Sequence, residues 1–342
     1  LMAEMIAYCE QDVRAMRSIS KALRPLSADE LADYHVNERI NDRGVLVDVP
    51  LCHAAIKFAS DELIEAWGVA YGVLADVLIE AEGKLYTESA NRDGGWSGWR
   101  PFKIIDKVTE SSEITSFYLA PTDGGPLPAF RPGQYTTLRV FVPEWGVTQP
   151  RQYTLSDAPG LPHFRISVKR EDATNATPAG RVSNLLHSSY NKGDIIDLAP
   201  PFGDFWLHED RATPVVLISG GVGITPMVSM LKHLIATAKG RQVKFIHTCR
   251  NAEVLAFGAR LHKAAADNPQ LEVRIFRDAG PVAEFGVIDS LDLGRLALPA
   301  DADYYLCGPD GFLKAHIARL HELGVESARI HAEVFSTGGV VV

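Results

Sequence analysis

The pattern of apolar and polar positions divides the chain into four regions. Residues 1–59 contain helical stretches at both ends, and residues 60–92 repeat apolar side chains every three or four positions, as one long helix does. From residue 100 to about 208, short apolar runs alternate with turn residues, which predicts strands. After residue 213, strands and helices alternate. The pattern therefore predicts an α+β multidomain protein with a helical N-terminal segment, an antiparallel β-barrel and an α/β domain with a parallel sheet.

Six strands are predicted in the third region, where the turns PTDGG, RPG, DAPG and NKGD interrupt the chain. No long helix separates these strands, which favours a small antiparallel barrel. The predicted strands are 102–109, 114–120, 134–142, 152–156, 163–169 and 194–199.

The last region predicts a parallel sheet with helices on both faces, in which ligands bind at the carboxyl ends of the strands. Three predicted strand ends carry the sequences GGVG, TCRN and CGPDGF. The predicted elements are a strand and a helix within 215–239, strand 242–249, helix 252–266, strand 271–276, a helix near 290–297, strand 303–307, helix 310–323 and strand 328–333.

A buried strand, a glycine turn and a helix follow one another directly in PVVLISGGVGITPMVSMLKHLIATAK, at 214–239. We expect Thr225 to be the N-cap, Pro226 to take the first helical position and Gly240 to end the helix. Such a turn presents free amides at a helix N-terminus, where a phosphate binds well. GGVG lacks the last glycine of the usual dinucleotide spacing, so these residues alone leave open a pyrophosphate site or a structural turn.

Composition and charge narrow the classes of function. The chain of 342 residues is 46% apolar, which suffices for two domains, and its net charge of −9 disfavours a nucleic-acid surface. No apolar run reaches the roughly 20 residues of a membrane span and no signal peptide is evident, so we expect a cytoplasmic protein. The chain begins with Leu1 and not Met, which suggests a fragment. Four separated cysteines, without a CxxC spacing, predict reduced thiols and no metal site; they are Cys9, Cys52, Cys249 and Cys307.

The sequence RQYTLS at 151–156 carries groups that suit a flavin. Arg151 and Tyr153 are two positions apart and share one face of a strand, while Thr154 faces the other way. A planar ring stacks on tyrosine, a guanidinium binds phosphate, and a hydroxyl can hydrogen-bond to a ring nitrogen. This is the spacing of the Arg-x-Tyr-Ser/Thr flavin signature; an exposed strand with an aromatic residue is the alternative.

Two further sequences of the barrel region fit the same chemistry. RPGQY at 131–135 ends a turn with an aromatic residue at the start of a strand. In GRVSNLLH at 180–187, Gly180 allows a close backbone approach and Ser183 is expected to cap a helix. The N-terminus of that helix would receive a diphosphate.

With these sequences in order, residues 100–342 resemble the reductase part of the flavohaemoglobins, which are members of the ferredoxin-NADP reductase superfamily. The resemblance also covers CGPDG at 307–311 and IHAEVFSTGG at 330–339. It implies an FAD-binding barrel followed by a nucleotide domain that delivers a hydride from NADH or NADPH to FAD. Single electrons then leave the flavin for an acceptor.

The resemblance also implies roles for individual residues. Thr154 would lie near flavin N5, Cys307 near the nicotinamide, and Glu333 would reach back to the flavin; these three are the implied catalytic residues. The implied flavin contacts in the barrel are Tyr135, Arg151, Gln152, Tyr153, Thr154, Gly180, Val182 and Ser183. The implied nicotinamide nucleotide contacts are Gly220, Gly221, Val222, Gly223, Ile224, Thr225, Pro226, Cys307, Gly308 and Pro309. The closing segment would contribute Val334, Phe335, Ser336 and Thr337, the last two in place of the usual Gly-Pro.

Arg250 follows the strand whose end reads the ribose of a dinucleotide. It could accept a 2′-phosphate and so admit NADPH, or it could be a surface residue. No acidic residue in that turn marks NADH either, so the sequence leaves the preference open.

The first two regions resemble parts of other domains. Residues 60–92 resemble the last helix of a flavohaemoglobin globin domain, with Glu82 as the family's carboxylate near the haem, and GGWSGW at 94–99 resembles the linker that follows it. No histidine occurs between Asp61 and Trp99, so haem is not expected.

Residues 1–59 resemble part of a family A, phage-type DNA polymerase. The resemblance rests on YCEQD at 8–12 and ERINDRGVLVDVPL at 38–51. By this resemblance, Tyr8 would help to orient the attacking water of the exonuclease, and Asp12 would help to hold a divalent metal. Two-metal chemistry needs several carboxylates around one phosphate, and the other exonuclease motifs would have to lie upstream of Leu1, so we expect no nuclease activity. A solvated helix face is the alternative interpretation of Tyr8 and Asp12.

We therefore predict a polymerase-like fragment at 1–59, a globin-helix remnant with linker at 60–98, an FAD-binding barrel at 99–210 and an NAD(P)-binding domain at 211–342. The predicted function is that of a flavin oxidoreductase that passes electrons from NAD(P)H through FAD to an acceptor, without nitric oxide dioxygenation. The alternative is a chimeric or truncated chain whose polymerase-like fragment has no nucleic-acid function of its own. The sequence does not predict the oligomeric state.

Overall fold

The computed structural model describes residues 87–174, 178–238, 240–277 and 291–335. The polymerase-like segment 1–59, with Tyr8 and Asp12, lies outside these residues, as does Glu82. The predicted helix 60–92 enters the described part only at residues 87–90, which are helical and are followed by a turn.

Within the described residues, six antiparallel strands form the first sheet, in the order β4-β3-β6-β1-β2-β5. A bridge between Leu155 and Ile166 joins the chain beyond β4 to β5 and so links the two ends of the sheet. The strands are β1 Arg100–Thr109, β2 Ile114–Pro121, β3 Tyr135–Val142, β4 Val147–Thr154, β5 Phe164–Lys169 and β6 Ile195–Leu198, and helix α1, Arg181–Ser189, lies between β5 and β6.

The interior of this sheet is apolar because alternate side chains of each strand point inward. Phe102 and Ile104 of β1 are both fully buried, while the residue between them is exposed. They pack with Phe117 of β2, Leu138 of β3 and Ile166 of β5 in one cluster. The predicted antiparallel barrel is thus confirmed.

The fourth predicted strand, 152–156, is misplaced, because the observed strand is Val147–Thr154. A 3-10 turn at Pro143–Trp145 and Gly146, with φ of 64°, reverse the chain, and pairing resumes directly between Val142 and Val147. Pro150 lies in the strand nonetheless. A proline is tolerated there because β4 is the terminal strand in the sheet order, where a missing N–H breaks no inner ladder.

The second sheet has five parallel strands in the described residues, in the order β11-β10-β7-β8-β9. Apolar clusters cover both of its faces, so its inner strands are apolar runs, as predicted. The strands are β7 Val215–Gly220, β8 Val243–Cys249, β9 Leu271–Arg277, β10 Asp303–Gly308 and β11 Ile330–Val334, and the helices are α2 Ile224–Thr237, α3 Gly258–Asp267 and α4 Asp310–Glu322.

Two predicted helices of this domain differ from the observed elements. The helix predicted at 252–266 begins only at Gly258, because the side chain of Asn251 accepts hydrogen bonds from the amides of Glu253 and Val254 and holds a turn there. Within the described part of 290–297, the helix is a single 3-10 turn, Leu293–Arg295.

The boundaries of α2 also differ from the prediction. A 3-10 turn at Gly221–Gly223 leads straight into the helix, so Thr225 is not the N-cap. Its hydroxyl instead donates to the carbonyl of Val222 at 3.0 Å. Pro226 stands third in the helix, and the helix ends at Thr237, before Gly240.

Candidate functional site

Tyr135 and Thr154, two of the predicted flavin residues, are direct neighbours across β3 and β4. Thr154 is buried. The Tyr135 ring meets Phe202 edge-on, with centroids 4.6 Å apart, and the two residues exchange backbone hydrogen bonds of 3.0 and 2.9 Å. Gly203, with φ of 118°, leaves room for this ring, since a Cβ there would lie 2.8 Å from Tyr135 Cε1. The start of β3 therefore holds Tyr135 in a fixed position.

Arg151 and Tyr153 lie on the opposite face of β4 from Thr154, as their spacing predicted. Across the strand pair they face Leu138 and Thr136, and both are half-buried. Tyr153 packs against the barrel core, and burial raises its pKa, so its hydroxyl stays protonated at neutral pH. Gln152 is on the Thr154 face, opposite Thr137.

The predicted diphosphate helix, α1, begins at Arg181 with Gly180 as its N-cap, so Ser183 is not the cap. The Ser183 hydroxyl donates back to the carbonyl of Gly180 at 3.1 Å and accepts from the amide of Glu171 at 3.3 Å. A Cβ on Gly180 would lie 2.7 Å from Ser183 Oγ. The lack of a side chain at Gly180 thus leaves room for the Ser183 hydroxyl, and Val182 is buried beside it.

The GGVG turn lies directly against the carboxyl end of β10. A Cβ on Gly223 would stand 2.2 Å from the carbonyl oxygen of Cys307 and 2.8 Å from the amide of Gly308. Gly221 has φ of 56°, and a Cβ there would meet nothing within 4 Å. The turn therefore packs on one side and is open at Gly221, where a phosphate has room.

The CGPDGF sequence closes the same edge of the sheet. Pro309 is the N-cap of α4, and Cys307 is fully buried. The Phe312 ring fits between two glycines, since a Cβ would lie 3.3 Å from it at Gly220 and 2.8 Å at Gly308. Burial, and secondarily Glu333, raise the pKa of the Cys307 thiol, so it is protonated at neutral pH.

Glu333 is the register partner of Cys307 on β11. Burial, together with the nearby charge of Asp204, raises the pKa of Glu333 to about 7. The amide of Phe335 donates to the carbonyl of Gly308 at 3.0 Å, which ties the closing segment to the CGPDGF turn. Val334 is 47% exposed. Ser336 and Thr337 lie outside the described residues.

A polar pair beside Cys307 was missed from the sequence. Ser219 of β7 is in register with Cys307 on one side and with His247 of β8 on the other. Ser219 Oγ is 2.9 Å from His247 Nδ1, and both residues are buried. Burial lowers the pKa of His247 to about 4, so the imidazole is neutral at physiological pH. In the sequence, the signal for this pair is that Ser219 and His247 are polar residues within the apolar runs VVLISG and VKFIHTC.

Arg250, the candidate for a 2′-phosphate, forms an ion pair with Glu113, which lies just before β2. Next to it, Arg260 pairs with Glu110 at 3.0 Å, and the amide of Ser112 donates to the carbonyl of Glu253. The turn between β1 and β2 thus contacts the loop after β8.

The described residues contain no group of three or more His, Cys, Asp or Glu side chains that could hold a metal ion. No helix among them is both long and apolar enough to cross a membrane.

Comparison with known proteins gives matches over most of the chain. The family profile for the oxidoreductase NAD-binding domain matches residues 217–317. The flavohemoprotein of Bordetella pertussis is 53% identical over 291 residues, which are 82% of this chain and 72% of that protein. The flavohemoprotein of Rhizobium meliloti is 48% identical over 285 residues, covering 81% of this chain and 70% of that one.

Solved structures agree with these matches. The FAD/NAD-binding domain of nitric oxide dioxygenase from Vibrio cholerae is 38% identical with a TM-score of 0.65, and the match covers 71% of this chain and 99% of that domain. The flavohemoglobin of Malassezia yamatoensis, solved with FAD and heme, is 26% identical with a TM-score of 0.70, over 82% of this chain and 70% of that one.

Proposed function

The chain belongs to the flavohaemoprotein family, and from this premise we propose how its residues carry out the family's reductase chemistry. It is an FAD-dependent NAD(P)H oxidoreductase, with an antiparallel FAD-binding domain followed by a parallel-sheet NAD-binding domain. When bound, FAD accepts a hydride from the reduced nicotinamide nucleotide and releases electrons to an acceptor. The observation that best supports the assignment of residues is the meeting of GGVG and CGPDGF at one edge of the parallel sheet.

On the barrel, we assign the flavin to the end of β4 and the facing start of β3. Tyr153 offers a ring for stacking and Thr154 a hydroxyl, while Arg151 supplies positive charge for the diphosphate. The N-terminus of α1 adds the partial positive charge of its dipole near Gly180. The tight packing of Tyr135 against Phe202 supports this assignment, because a preorganised site loses little entropy on binding.

On the parallel sheet, we assign the nucleotide phosphates to the open side of the GGVG turn and the nicotinamide to the space beside Cys307. Cys307 and His247 contribute by shape and without charge, because the thiol is protonated and the imidazole is neutral. Glu333 has a pKa of about 7 and can hold a proton beside the reacting rings at neutral pH. The protein's part in the reaction is thus to hold the two rings in contact.

The proposal is tested by the colour of the purified chain. We expect it to retain FAD after desalting and to show flavin absorption that bleaches when NADH or NADPH is added without oxygen. A chain that stays colourless with saturating FAD, or whose bound flavin does not bleach with either nucleotide, would overturn the assignment. Reduction of an artificial acceptor by NADH measures turnover in the same sample.

We further propose that residues 60–98 are a globin-helix remnant and linker, and that residues 1–59 derive from a polymerase-like sequence. The match to the flavohemoprotein of Bordetella pertussis covers 82% of the chain, which is more than residues 100–342 comprise. The match therefore extends upstream of Arg100, which supports the assignment of residues 60–98. We expect neither haem binding nor nitric oxide dioxygenation from this chain. A Soret band, or nitric oxide turnover comparable to that of an intact flavohaemoglobin, would contradict this expectation.

A further inference from the structure

A buried carboxylate, just beyond the end of β4, connects the barrel to the nucleotide domain. Asp157 stands three residues beyond Thr154 and is 5% exposed. Its Oδ1 accepts a hydrogen bond from Lys232 Nζ at 2.6 Å, and its backbone carbonyl accepts one from Ser229 Oγ at 2.7 Å. Ser229 and Lys232 are three positions apart on α2, the helix that begins directly after GGVG. One residue of the barrel therefore holds two side chains of that helix.

Asp157 faces a second cation within the barrel. Arg165 Nη1 lies 3.5 Å from Asp157 Oδ2, and Arg165 is 1% exposed. Its guanidinium also lies 5.1 Å from the centroid of the Phe257 ring, which belongs to the nucleotide domain. Burial by itself raises the pKa of Asp157, but Arg165 and Lys232 outweigh it and hold the pKa below its ordinary value. The carboxylate is thus charged and fully engaged, and removing it would leave two cations without their partner.

Helix α2 also contacts the RPGQY turn of the barrel, which leads to Tyr135 at the start of β3. A Cβ on Gly133, in the RPGQY turn, would lie 2.7 Å from Met230 Cε of α2. Gly133 has φ of 110° and stands two residues before Tyr135. Helix α2 is therefore in contact with both segments of the barrel to which we assign the flavin, through residues in the middle of the helix.

We propose that Asp157 is a positioning residue for hydride transfer: through Ser229 and Lys232 it fixes α2, and with it the GGVG turn, relative to Tyr153 and Thr154. This inference rests on the proposed function, because it assumes a flavin on β4 and a nicotinamide nucleotide at GGVG. Reacting atoms must lie about 3–3.5 Å apart, and a displacement of about 1 Å can lower a rate about 100-fold. Loss of the contact therefore slows the transfer step more than it weakens binding of either cofactor.

The test compares flavin reduction in holoprotein variants by anaerobic stopped-flow absorbance. Asp157→Asn removes the charge but keeps the backbone carbonyl that Ser229 contacts, and Lys232→Met removes the other partner. For each we expect FAD to remain bound and the limiting rate at saturating NADH to fall about 10-fold or more, with a much smaller change in nucleotide affinity. The double variant should be no slower than the slower single variant, because both break the same contact. Lys232→Arg, which keeps the charge, should retain most of the rate.

Lys263→Met is the matched control, since the Lys263 side chain is 79% exposed and pairs with Asp267 of the same helix, α3. We expect it to leave the rate unchanged. If wild-type protein fails to bind FAD or to bleach with either nucleotide, the proposed function is wrong. If wild-type flavin is reduced and both Asp157→Asn and Lys232→Met, once loaded with FAD, are reduced at the wild-type limiting rate, Asp157 has only a structural role and the inference is overturned. If Asp157→Asn does not fold, Ser229→Ala takes its place in the comparison, because it removes the hydroxyl that donates to the Asp157 carbonyl.

Discussion

Gly223 packs directly on the carbonyl group of Cys307, so closely that a Cβ on the glycine would stand 2.2 Å from the carbonyl oxygen and 2.5 Å from its carbon. Both atoms are backbone and cannot rotate away. The turn after β7 and the turn after β10 therefore meet main chain to main chain. The two turns can lie this close because Gly223 has no Cβ.

Replacing Gly223 with alanine should force these two turns apart. We expect Gly223→Ala to keep FAD bound to the barrel but to lower the rate of flavin reduction by NADH at least about 10-fold, and to cost about 1–3 kcal/mol of unfolding free energy through overpacking. Flavin content, reduction rate and urea denaturation measure the three effects.

The control for that substitution is Gly311→Ala in the first turn of α4, where a Cβ would meet nothing within 4 Å. We expect its unfolding free energy to be unchanged or raised by up to about 1 kcal/mol. Equal losses of stability in the two variants would show that the contact between Gly223 and Cys307 is not the cause.

Glu333 should make stability depend on pH near neutrality. Burial and Asp204 raise its pKa from an ordinary 4.5 to about 7, so the folded protein holds this proton more tightly than the unfolded chain. The stabilisation is complete below pH 4.5 and is lost as the pH rises through about 7. Glu333→Gln stays neutral, so its melting temperature relative to wild type should increase over that interval.

Melting curves of both proteins between about pH 4.5 and pH 8 measure this difference. Glu326→Gln, which removes a carboxylate at an exposed position, is the matched control. If the difference between Glu333→Gln and wild type varies with pH no more than that of Glu326→Gln, the Glu333 carboxyl does not titrate with a raised pKa.

The ion pair of Arg250 with Glu113 should influence the choice between NADH and NADPH. The Arg250 side chain is 65% exposed and Glu113 engages its guanidinium, so a 2′-phosphate at this position has to compete with a carboxylate. Glu113→Gln frees the arginine, and we expect kcat/KM for NADPH relative to NADH to rise by up to about 5-fold, the range of an exposed ion pair. Glu110→Gln, which breaks the neighbouring pair with Arg260, should leave that ratio unchanged. An unaltered ratio in Glu113→Gln would show that Arg250 does not meet the ribose.

Much of the fold was predictable because it depends on local periodicity. The buried run from Val215 to Ile218 and the alternation in β1 each specify their strand without reference to the rest of the chain. The motif positions were predictable for the same reason, since a turn that follows a strand must lie at the edge of the sheet. Residue type alone predicts Thr225 and Ser183 as caps, but both helices begin earlier, directly after a glycine.

The contacts between the two domains were not predictable from the sequence. Arg250 and Glu113 are 137 positions apart, and Lys232 and Asp157 are 75 apart. No periodicity links residues at such separations, and each of these side chains by itself is consistent with a solvated surface. Only the folded arrangement shows that Lys232, itself 39% exposed, pairs with the buried carboxylate of Asp157.

Residues just before the barrel should prove necessary for its stability. The indole nitrogen of Trp96 donates to the carbonyl of Leu198 at 3.1 Å, and its ring lies 5.5 Å from that of Phe102. Ser89 Oγ also donates to the carbonyl of Pro201. A cut at the proposed boundary between residues 98 and 99 would therefore remove part of the barrel's packing.

We expect a chain that begins at Thr87 to keep the stability of the barrel and one that begins at Trp99 to lose about 2–4 kcal/mol of unfolding free energy, as for the loss of a large packed side chain. Urea denaturation of both FAD-loaded proteins measures this. In the full chain, Trp96→Ala should reproduce most of the loss, whereas Trp145→Ala, at a position that is 38% exposed, should cost less than about 1 kcal/mol. If the two truncated chains were equally stable, the segment before Trp99 would be a linker alone, and the domain boundary would stand where the sequence first suggested it.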